Sequence, residues 1–441
     1  MIIMKFGGSS VANADRIRHV TEIVKQNLDK KPVVVVSAMG TTTDNLLDTV
    51  SKALSGNISI SEIEKLHRDT AAELGIIVPE LDELLNELNK LLCGISLIRE
   101  FSPRTKDYLV SFGERLSARV VAAHLTNAGI YARHYDSWEL GITTNSEFTN
   151  ADILDETYDS IKKSLANLKG DYTHTPVITG FIGKDKEGNI TTFGRGGSDL
   201  TAAILGAALE TDEIQVWKDV DGMLTTDPRV VKQAQPVKQI SFEEASELAY
   251  FGAKVLHPRS ILPAMNKNIP VRVKNSYNPT HPGTMILRGF NDEKEFVRVL
   301  TYKKHVTLID IVSTRMLGQY GFLAKVFQIF DENRVSVDML ATSEVSISLT
   351  LDNRTTCLDR LRTELEKIAT VHIKQNKTII TLVGNVKRST QILEKTFDVL
   401  QEQDINVQMI SQGASKVNIS FIIDDDEAEA SIRALHKAFF E

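Results

Sequence analysis

Two glycine-bearing turns hold the groups best suited to chemistry. The first is Lys5-Phe6-Gly7-Gly8-Ser9-Ser10, where a strand-like run ends in two glycines and two hydroxyls just ahead of a helix. Glycine lets the main chain approach an anion closely, its N–H groups can form a nest, and the lysine adds a point charge. Phosphate suits such a turn, although a double glycine after a strand also serves as a plain bend. Because the lysine precedes the glycines and no Gly-Lys-Ser/Thr follows, this is not a Walker A loop. The second turn, Gly194-Arg195-Gly196-Gly197-Ser198-Asp199, opens a helical stretch from Leu200 to Leu209. Arg195 can grip a carboxylate in a bidentate fork while helix-start N–H groups take a second anion. Ser198 or Asp199 acting simply as a helix cap is the plainer alternative. Two anion sites in one domain point to two substrates.

Three more blocks combine charge with apolar context. Val110-Ser111-Phe112-Gly113-Glu114-Arg115 stands at the head of a helix running toward Leu125. There Glu114 either complements the helix dipole or recognises an ammonium group. Trp217-Lys218-Asp219-Val220-Asp221-Gly222, followed by Thr225-Thr226-Asp227-Pro228-Arg229, can wrap a nucleotide, or can be ordinary solvated turn chemistry. Phe251-Gly252-Ala253-Lys254-Val255-Leu256-His257-Pro258 places Lys254 in an apolar run, where it suits a phosphate or nucleobase contact, or snorkels to solvent.

The elements that must position these residues follow from periodicity. Over the first ~290 residues, apolar strand-like runs alternate with amphipathic helical stretches, the pattern of a sheet covered by helices on both faces. Asn13 can cap a helix with Ile17, Val20, Val24 and Leu28 at helical spacing, and Lys31-Pro32 then leads into Val33 to Ser37. Further strands are expected at Val177–Gly180, Ile214–Trp217 and Val271–Lys274. Residues 60–100 read as an inserted helical hairpin divided near Pro79. Turn formers gather at Asn275–Gly283, before the charged stretch Asn291–Glu295, and mark a boundary. Beyond it Leu323, Phe327, Phe330, Val335, Val337 and Met339 return seventy positions later as Leu393, Phe397, Leu400, Ile405, Val407 and Met409. Two tandem β-α-β-β units result, too few for a solenoid, so they must bury their sheets against each other or another subunit.

Composition narrows the class. The 441 residues are 42% hydrophobic and 25% charged, as in an ordinary globular chain of about three domains, and the net charge of −7 shows no basic excess for nucleic acid. Apolar stretches such as Pro32–Val36 fall far short of the ~18 residues that span a bilayer. The opening Ile2-Ile3-Met4 lacks the pattern of a signal or transit peptide, so a cytoplasmic location is expected. The two cysteines, Cys93 and Cys357, are read as reduced core thiols, with no metal site built from them.

In order, the blocks KFGGSS, SAMGTTTDNL, SFGERLSA, TGFIG, GRGGSD, VWKDVDGMLTTDPR and FGAKVLHP resemble the aspartate kinases of the amino acid kinase family. The resemblance covers almost the whole chain. It implies an α/β, carbamate kinase-like sheet sandwiched by helices over residues 1–290, then two ferredoxin-like α+β ACT domains over 296–375 and 376–441. The second of these would also take the strand near 297–302. It further implies ATP- and Mg²⁺-dependent phosphorylation of the L-aspartate side chain, the first step toward lysine, threonine and methionine.

Residue by residue, the resemblance gives Lys5 the transferring charge and the amides of Gly7, Gly8 and Ser9 the phosphate. Asp199 positions Lys5 or the substrate amino group. Arg195, with Gly196, Gly197 and Ser198, takes the substrate α-carboxylate, Glu114 its amino group and Thr43 the acceptor end. Lys218, Asp219, Leu224, Arg229 and Lys254 go to ATP, although many family members carry Thr and Tyr where Lys218 and Leu224 stand. The segments 316–324 and 336–344 look like the effector-binding segments of lysine-inhibited members. Met316, Gln319, Gly321, Phe322, Leu323, Val337, Asp338, Thr342, Ser343 and Glu344 would form the seat of L-lysine. Asp338 and Glu344 would meet its ammonium groups and the amides near Phe322 and Leu323 its carboxylate. Gln408 replaces Asp338 in the second unit, which would serve as scaffold. A homodimer through the ACT units is implied, with a tetramer as the larger alternative, and no nucleic-acid or membrane partner.

Rival readings differ in what they need. Among kinases of the same fold, which also act on carbamate, those for N-acetylglutamate or UMP have no use for an acid such as Glu114, whereas a free amino acid uses both Arg195 and Glu114. Glutamate differs from aspartate by one methylene, worth only about 1–3 kcal/mol, so the resemblance alone decides that case. A silent amino-acid sensor would not keep Lys5, Arg195 and Asp199 together. A dinucleotide-dependent dehydrogenase needs G-x-G-x-x-G after the first strand. No fused homoserine dehydrogenase is expected after Glu441.

Overall fold

The computed structural model describes residues 1–166, 168, 171–250, 256–289, 296–313, 320–352, 357–385, 388–412 and 417–441. They form two compact units: Met1–Met223 with Lys238–Phe242 and Val255–Phe290, and Leu224–Val237 with Glu243–Lys254 and Asn291–Glu441.

In the first unit, β1 (Ile2–Phe6) and β2 (Pro32–Val36) are buried along their whole length, Lys5 included. Such unbroken burial is expected of parallel strands covered on both faces. Between them α1 (Ala14–Lys25) starts where the Asn13 side chain accepts from the Arg16 amide at 3.0 Å, and it buries Ile17, Val20 and Val24. Helices α2 (Thr42–Leu54), α3 (Ser61–Glu73) and α4 (Glu80–Ile98) follow, the last two divided near Pro79 as expected, but α4 packs on α2 and on the next helix rather than forming a hairpin with α3. Helix α5 (Pro103–Asn127) is capped by Ser102, whose Oγ accepts from the Thr105 amide at 3.2 Å, with Pro103 in its first turn. The chain then runs through β3 (Ala132–Tyr135), β4 (Thr143–Thr144), α6 (Glu156–Ser164), β5 (Thr175–Thr179), β6 (Ile182–Asp185) and β7 (Ile190–Thr192). Helix α7 (Gly197–Leu209), β8 (Glu213–Lys218), β9 (Gln239–Ser241), α8 (Phe242–Tyr250), α9 (Pro258–Lys267), β10 (Val271–Asn275) and β11 (Thr284–Leu287) complete it, with α8 passing into the second unit after Phe242.

Among the described residues the main sheet has the order β3-β5-β2-β1-β8-β10-β11-β9, parallel throughout except between β10 and β11. The turn cluster at Asn275–Gly283 is therefore the connection of an antiparallel pair inside this sheet, and the unit runs on to Phe290. Strand β1 is central, with β2 on one side and β8 on the other, so the chain leaves it in opposite directions. In open α/β sheets the crevice at the carboxyl ends of strands beside such a switch is where ligands bind. A second, three-stranded sheet, β4-β6-β7, is tied to α5 by buried Asp107, which accepts from the amides of Thr149 (2.8 Å) and Thr192 (2.9 Å) and from the Thr192 hydroxyl (2.8 Å). Cys93 and Cys357 are free thiols, half-buried rather than deep in a core.

The second unit is built on a six-stranded sheet of order β13-β14-β12-β15-β17-β16. Its two long central strands are β12 (Val297–Val312) and β15 (Thr370–Gly384). Around them lie α10 (Phe322–Glu332), β13 (Met339–Thr342), β14 (Ser346–Asp352) and α11 (Leu358–Leu365), then α12 (Ser389–Glu402), β16 (Met409–Gln412), β17 (Asn418–Asp424) and α13 (Ala428–Phe440). The early half of β12, 297–303, pairs with the late half of β15 beside β17, while 306–312 pairs with the early half of β15 and with β14. The first repeat is thus nested inside the second. Among the described residues Ile309, Ile311, Val326, Phe330, Leu349 and Leu361 form one core, Leu300, Ile380, Leu382, Leu400, Phe421 and Leu435 another, and Val306, Leu308, Met339, Ile379, Met409 and Ile422 a third to which both repeats contribute.

Segment 224–237 belongs to this unit rather than to the sheet it follows. The Leu300 amide donates to the Thr225 carbonyl at 2.7 Å, Thr225 Oγ1 lies 2.9 Å from His436 Nε2, and Val231 joins the second core. Helix α8 is held likewise, through Glu244 to Arg298 at 3.1 Å and Glu247 to the Asn418 amide at 2.6 Å.

Candidate active site

The carboxyl ends of β1, β2 and β5 and the start of α7 enclose a cleft of about 250 Å³, lined by Lys5, Ser37, Thr43, Glu114, Phe181, Gly194, Gly196, Gly197, Ser198 and Asp199. Lys5 and the second glycine turn therefore open onto one cavity. Arg195 is exposed, standing between two lining glycines. His257 packs against the same turn, since a Cβ at Gly196 would come within 2.7 Å of its own Cβ.

Asp199 lies in the first turn of α7 and is buried. The helix has no side-chain cap: Gly196 occupies that position with φ of 75°, so neither Ser198 nor Asp199 caps it. Lys5 Nζ lies 2.5 Å from one oxygen of Asp199 and Lys218 Nζ 3.3 Å from the other. Burial pushes the Asp199 carboxyl up, but the two ammonium groups outweigh it and hold the group below its ordinary range. The Ser198 hydroxyl accepts from that of Ser37 at 3.0 Å, tying the turn to the end of β2.

Glu114 is the surprise of the site. Because α5 begins at Pro103, Glu114 falls in the middle of the helix, and the expected position at a helix head, with its dipole explanation, does not hold. It is only 4% exposed; one oxygen accepts from the Ala38 amide at 3.1 Å and the other has no partner among the described residues. This approach needs glycine at 113, where a Cβ would come within 2.6 Å of that of Ala38. Gly8 faces the same loop from the other side, and a Cβ there would lie 2.8 Å from the Ala38 carbonyl oxygen. Burial pushes the Glu114 carboxyl up to about 8, with the Ala38 amide and Lys5 pulling the other way. A buried acid with an unused oxygen facing a cleft is set to receive a cation.

The Gly7 amide donates to the Trp217 carbonyl at 3.3 Å, and Ser10 Oγ meets Ser276 Oγ at 2.8 Å, so the first turn is braced by β8 and the end of β10. Ser9 is exposed and Asp219 follows Lys218 on the surface. Leu224 and Arg229 belong to the second unit, where Arg229 pairs with Asp227 at 2.6 Å. Lys254, Met316 and Gln319 lie outside the described residues.

Of the expected effector residues, Gly321 precedes α10 with φ of 81°, Phe322 and Leu323 begin that helix, and Val337 and Asp338 lead into β13. Thr342 ends β13, and Ser343 and Glu344 lie in the exposed turn to β14, in which the Ser343 amide donates to the Ser346 carbonyl at 2.8 Å. Asp338 accepts from Lys303 Nζ at 2.5 Å, a partner that sequence spacing gave no reason to expect.

Two family profiles match: the amino acid kinase family over residues 1–275, and the ACT domain over 309–356 and 380–439. "Aspartokinase 3, chloroplastic" of Arabidopsis thaliana is 53% identical over an alignment spanning 100% of this chain and 81% of the relative. The chain belongs to the aspartokinase family. It is a kinase of the type that acts on aspartate, with an α/β kinase domain followed by ACT domains. The structure of Escherichia coli aspartokinase III with aspartate and ADP, in its R-state, superposes with a TM-score of 0.81 at 32% identity over 100% of both chains. The same enzyme with lysine and aspartate, in its T-state, gives 0.81 at 33% identity, again over 100% of both. Among the described residues no helix is long and apolar enough to cross a membrane.

Proposed function

We propose that the enzyme transfers the terminal phosphoryl group of ATP to the side-chain carboxylate of L-aspartate, giving 4-phospho-L-aspartate, and that L-lysine inhibits it through the ACT domains. The observation that carries the substrate assignment is the unpartnered oxygen of Glu114 in a cleft shared with Lys5 and the second glycine turn. An amino acid's ammonium completes Glu114, and its α-carboxylate suits Arg195 with the amides of Gly196, Gly197 and Ser198. The side-chain carboxylate then points past Thr43 toward Lys5. A carboxylate attacks phosphorus without a strong base, so the protein's work is alignment and charge neutralisation. One carboxylate O–P bond forms, the bond from phosphorus to the bridging oxygen breaks, and ADP leaves. Lys5 neutralises the moving phosphoryl and the amides of Gly7, Gly8 and Ser9 hold its oxygens, with Asp219, Leu224, Arg229 and Lys254 assigned to the rest of the nucleotide.

Mg²⁺ belongs to this proposal as part of the nucleotide substrate, since it keeps its waters and phosphate oxygens and asks one or two carboxylates of a protein. Among the described residues no group of three or more His, Cys, Asp or Glu side chains is placed to hold a metal. Asp199, engaged by two lysines, fits a metal that arrives on the nucleotide rather than a resident one. A homodimer through the ACT domains, or a tetramer built from it, is supported by apolar side chains left exposed at matching positions of the two repeats: Phe327 with Phe397, and Leu340 with Ile410. The cytoplasmic location stays a proposal, and because the plant relative is chloroplastic by name, cell fractionation decides it.

The test is ATP with L-aspartate and hydroxylamine, which traps an acyl phosphate as the hydroxamate. Product is expected from L-aspartate, about tenfold or more less from L-glutamate, and none from N-acetyl-L-aspartate, with lysine suppressing the signal. Equal turnover of the acetylated compound would overturn the role of Glu114.

A further inference from the structure

We propose that Lys218 is a positioning residue for phosphoryl transfer: it keeps the charge of Asp199 neutralised when the ammonium of Lys5 turns to the transferring phosphoryl group. The proposal rests on the reading of Lys5 given above.

Lys5 faces a conflict. At 2.5 Å from a buried carboxylate it is a committed ion-pair partner, yet it must serve an incoming phosphate. Leaving Asp199 without a cation would strand a buried charge, one of the costliest arrangements in a protein interior. The geometry removes the conflict because the two lysines hold different oxygens, Lys5 on Oδ1 and Lys218 on Oδ2 at 3.3 Å. Release of one oxygen leaves the other paired. Together the three groups carry one net positive charge, so the cluster already favours an anion before any nucleotide arrives.

The backbone fixes the reach of Lys218. It ends β8, which runs parallel to β1 in a register that sets Lys5 against Val216. Its carbonyl accepts from the Ser276 amide at 2.8 Å and the Ser276 hydroxyl at 3.0 Å, and the preceding carbonyl, that of Trp217, accepts from Gly7. The strand end is held on both sides and the side chain, only 20% exposed, points at Asp199. Burial lowers the ammonium's affinity for its proton, with Asp199 opposing and Lys5 adding to the effect, so Lys218 is held charged mainly by the partner it serves.

The experiment is steady-state kinetics of Lys218→Met and Lys218→Gln, with Lys218→Arg as the conservative replacement and Asp199→Asn as a second background. Both uncharged variants are expected to lose about tenfold or more in kcat while KM for ATP and aspartate changes less than about threefold. Lys218→Arg should recover most of kcat, and in the Asp199→Asn background the Met change should have little further effect, because its target is gone. An alkaline fall in kcat is expected of the unaltered enzyme and should be missing in Lys218→Met. A raised KM for ATP with kcat preserved would overturn the proposal by making Lys218 a direct nucleotide ligand. Additive losses in the double variant, or an unchanged kcat, would overturn it as well. Absence of hydroxamate from the unaltered enzyme would instead sink the underlying reading of the cleft.

Discussion

The catalytic cleft and the effector segment each join lysine to aspartate, in inverse proportions. In the cleft two ammonium groups, Lys5 and Lys218, share one carboxylate, Asp199. Ahead of β13 one ammonium, Lys303, reaches two carboxylates, Asp338 at 2.5 Å and Asp352 at 3.5 Å. On the roles proposed above, the first arrangement frees a cation for a phosphoryl group, and in the second the effector's amine would stand where Lys303 stands, leaving neither acid bare. The proposal therefore has the same two residue types serve opposite ligands, distinguished by their ratio and by the strands that deliver them.

Removing one member from each cluster should separate catalysis from inhibition. Lys5→Ala should cost about a thousandfold or more in hydroxamate formation, the scale of losing a group aimed at transferring charge, while calorimetry still records lysine binding. Asp338→Asn should do the converse, raising the lysine concentration needed for half inhibition roughly a hundredfold, the scale of truncating one partner of a buried charge pair. A variant still fully inhibited by lysine would remove Asp338 from the seat.

Glu114 sharpens the contrast because it is the acid of the cleft with no lysine on its free oxygen. Its carboxyl is raised by burial to about 8, so in the empty site it is largely protonated at neutral pH. Binding an ammonium requires the charged form, so KM for aspartate should fall as pH rises toward 8 and then level off. Glu114→Gln should raise KM roughly thirtyfold and abolish that slope, since hydrogen bonds to charged groups contribute about 1.5–3 kcal/mol. Stability runs the other way. A carboxyl raised in the folded state contributes stability that is present below its ordinary value of 4.5 and lost as pH climbs through about 8. Thermal melts should accordingly show Glu114→Gln gaining on the unaltered enzyme between pH 5 and pH 8, by roughly 3–5 kcal/mol at the upper end. A flat difference across that range would place the charge elsewhere.

Much of this scaffold was legible in periodicity. The four strands expected at Val33, Val177, Ile214 and Val271 are β2, β5, β8 and β10, displaced by a residue or two, because buried parallel strands announce themselves as short apolar runs. The seventy-residue echo predicted two like units, since apolar faces must repeat where a fold repeats. Other features depend on contacts that spacing does not encode. Glu114 was misplaced because Ser102-Pro103 carries the start signal of α5 eleven residues before it. The double hold on Asp199 joins residues far apart in sequence through the adjacency of β1 and β8. Segment 224–237 reads as a loop of the kinase domain but is fastened by Leu300, His436 and Tyr302 of the second unit, partners no local pattern reveals.

The smallest expected effect tests whether the second repeat is only a scaffold. Gln408 and Asp338 occupy the same place: each amide donates at 2.8 Å to the neighbouring strand, to Ile422 and to Thr350 respectively. Their side chains differ in charge and therefore in use. Gln408 Nε2 donates to Asp424 at 3.1 Å, and Asp424 is also paired with Lys377, so the acid here is engaged by an amide and an ammonium from its own unit. Gln408 Oε1 is left without a partner among the described residues, so what this place offers an external donor is a neutral amide oxygen and not a carboxylate. Gln408→Ala should cost about 1.5–3 kcal/mol of stability, one hydrogen bond to a charged neighbour, and move half inhibition by lysine less than about twofold. A shift as large as that of Asp338→Asn would mean that both repeats bind the effector and that carboxylate content does not distinguish them.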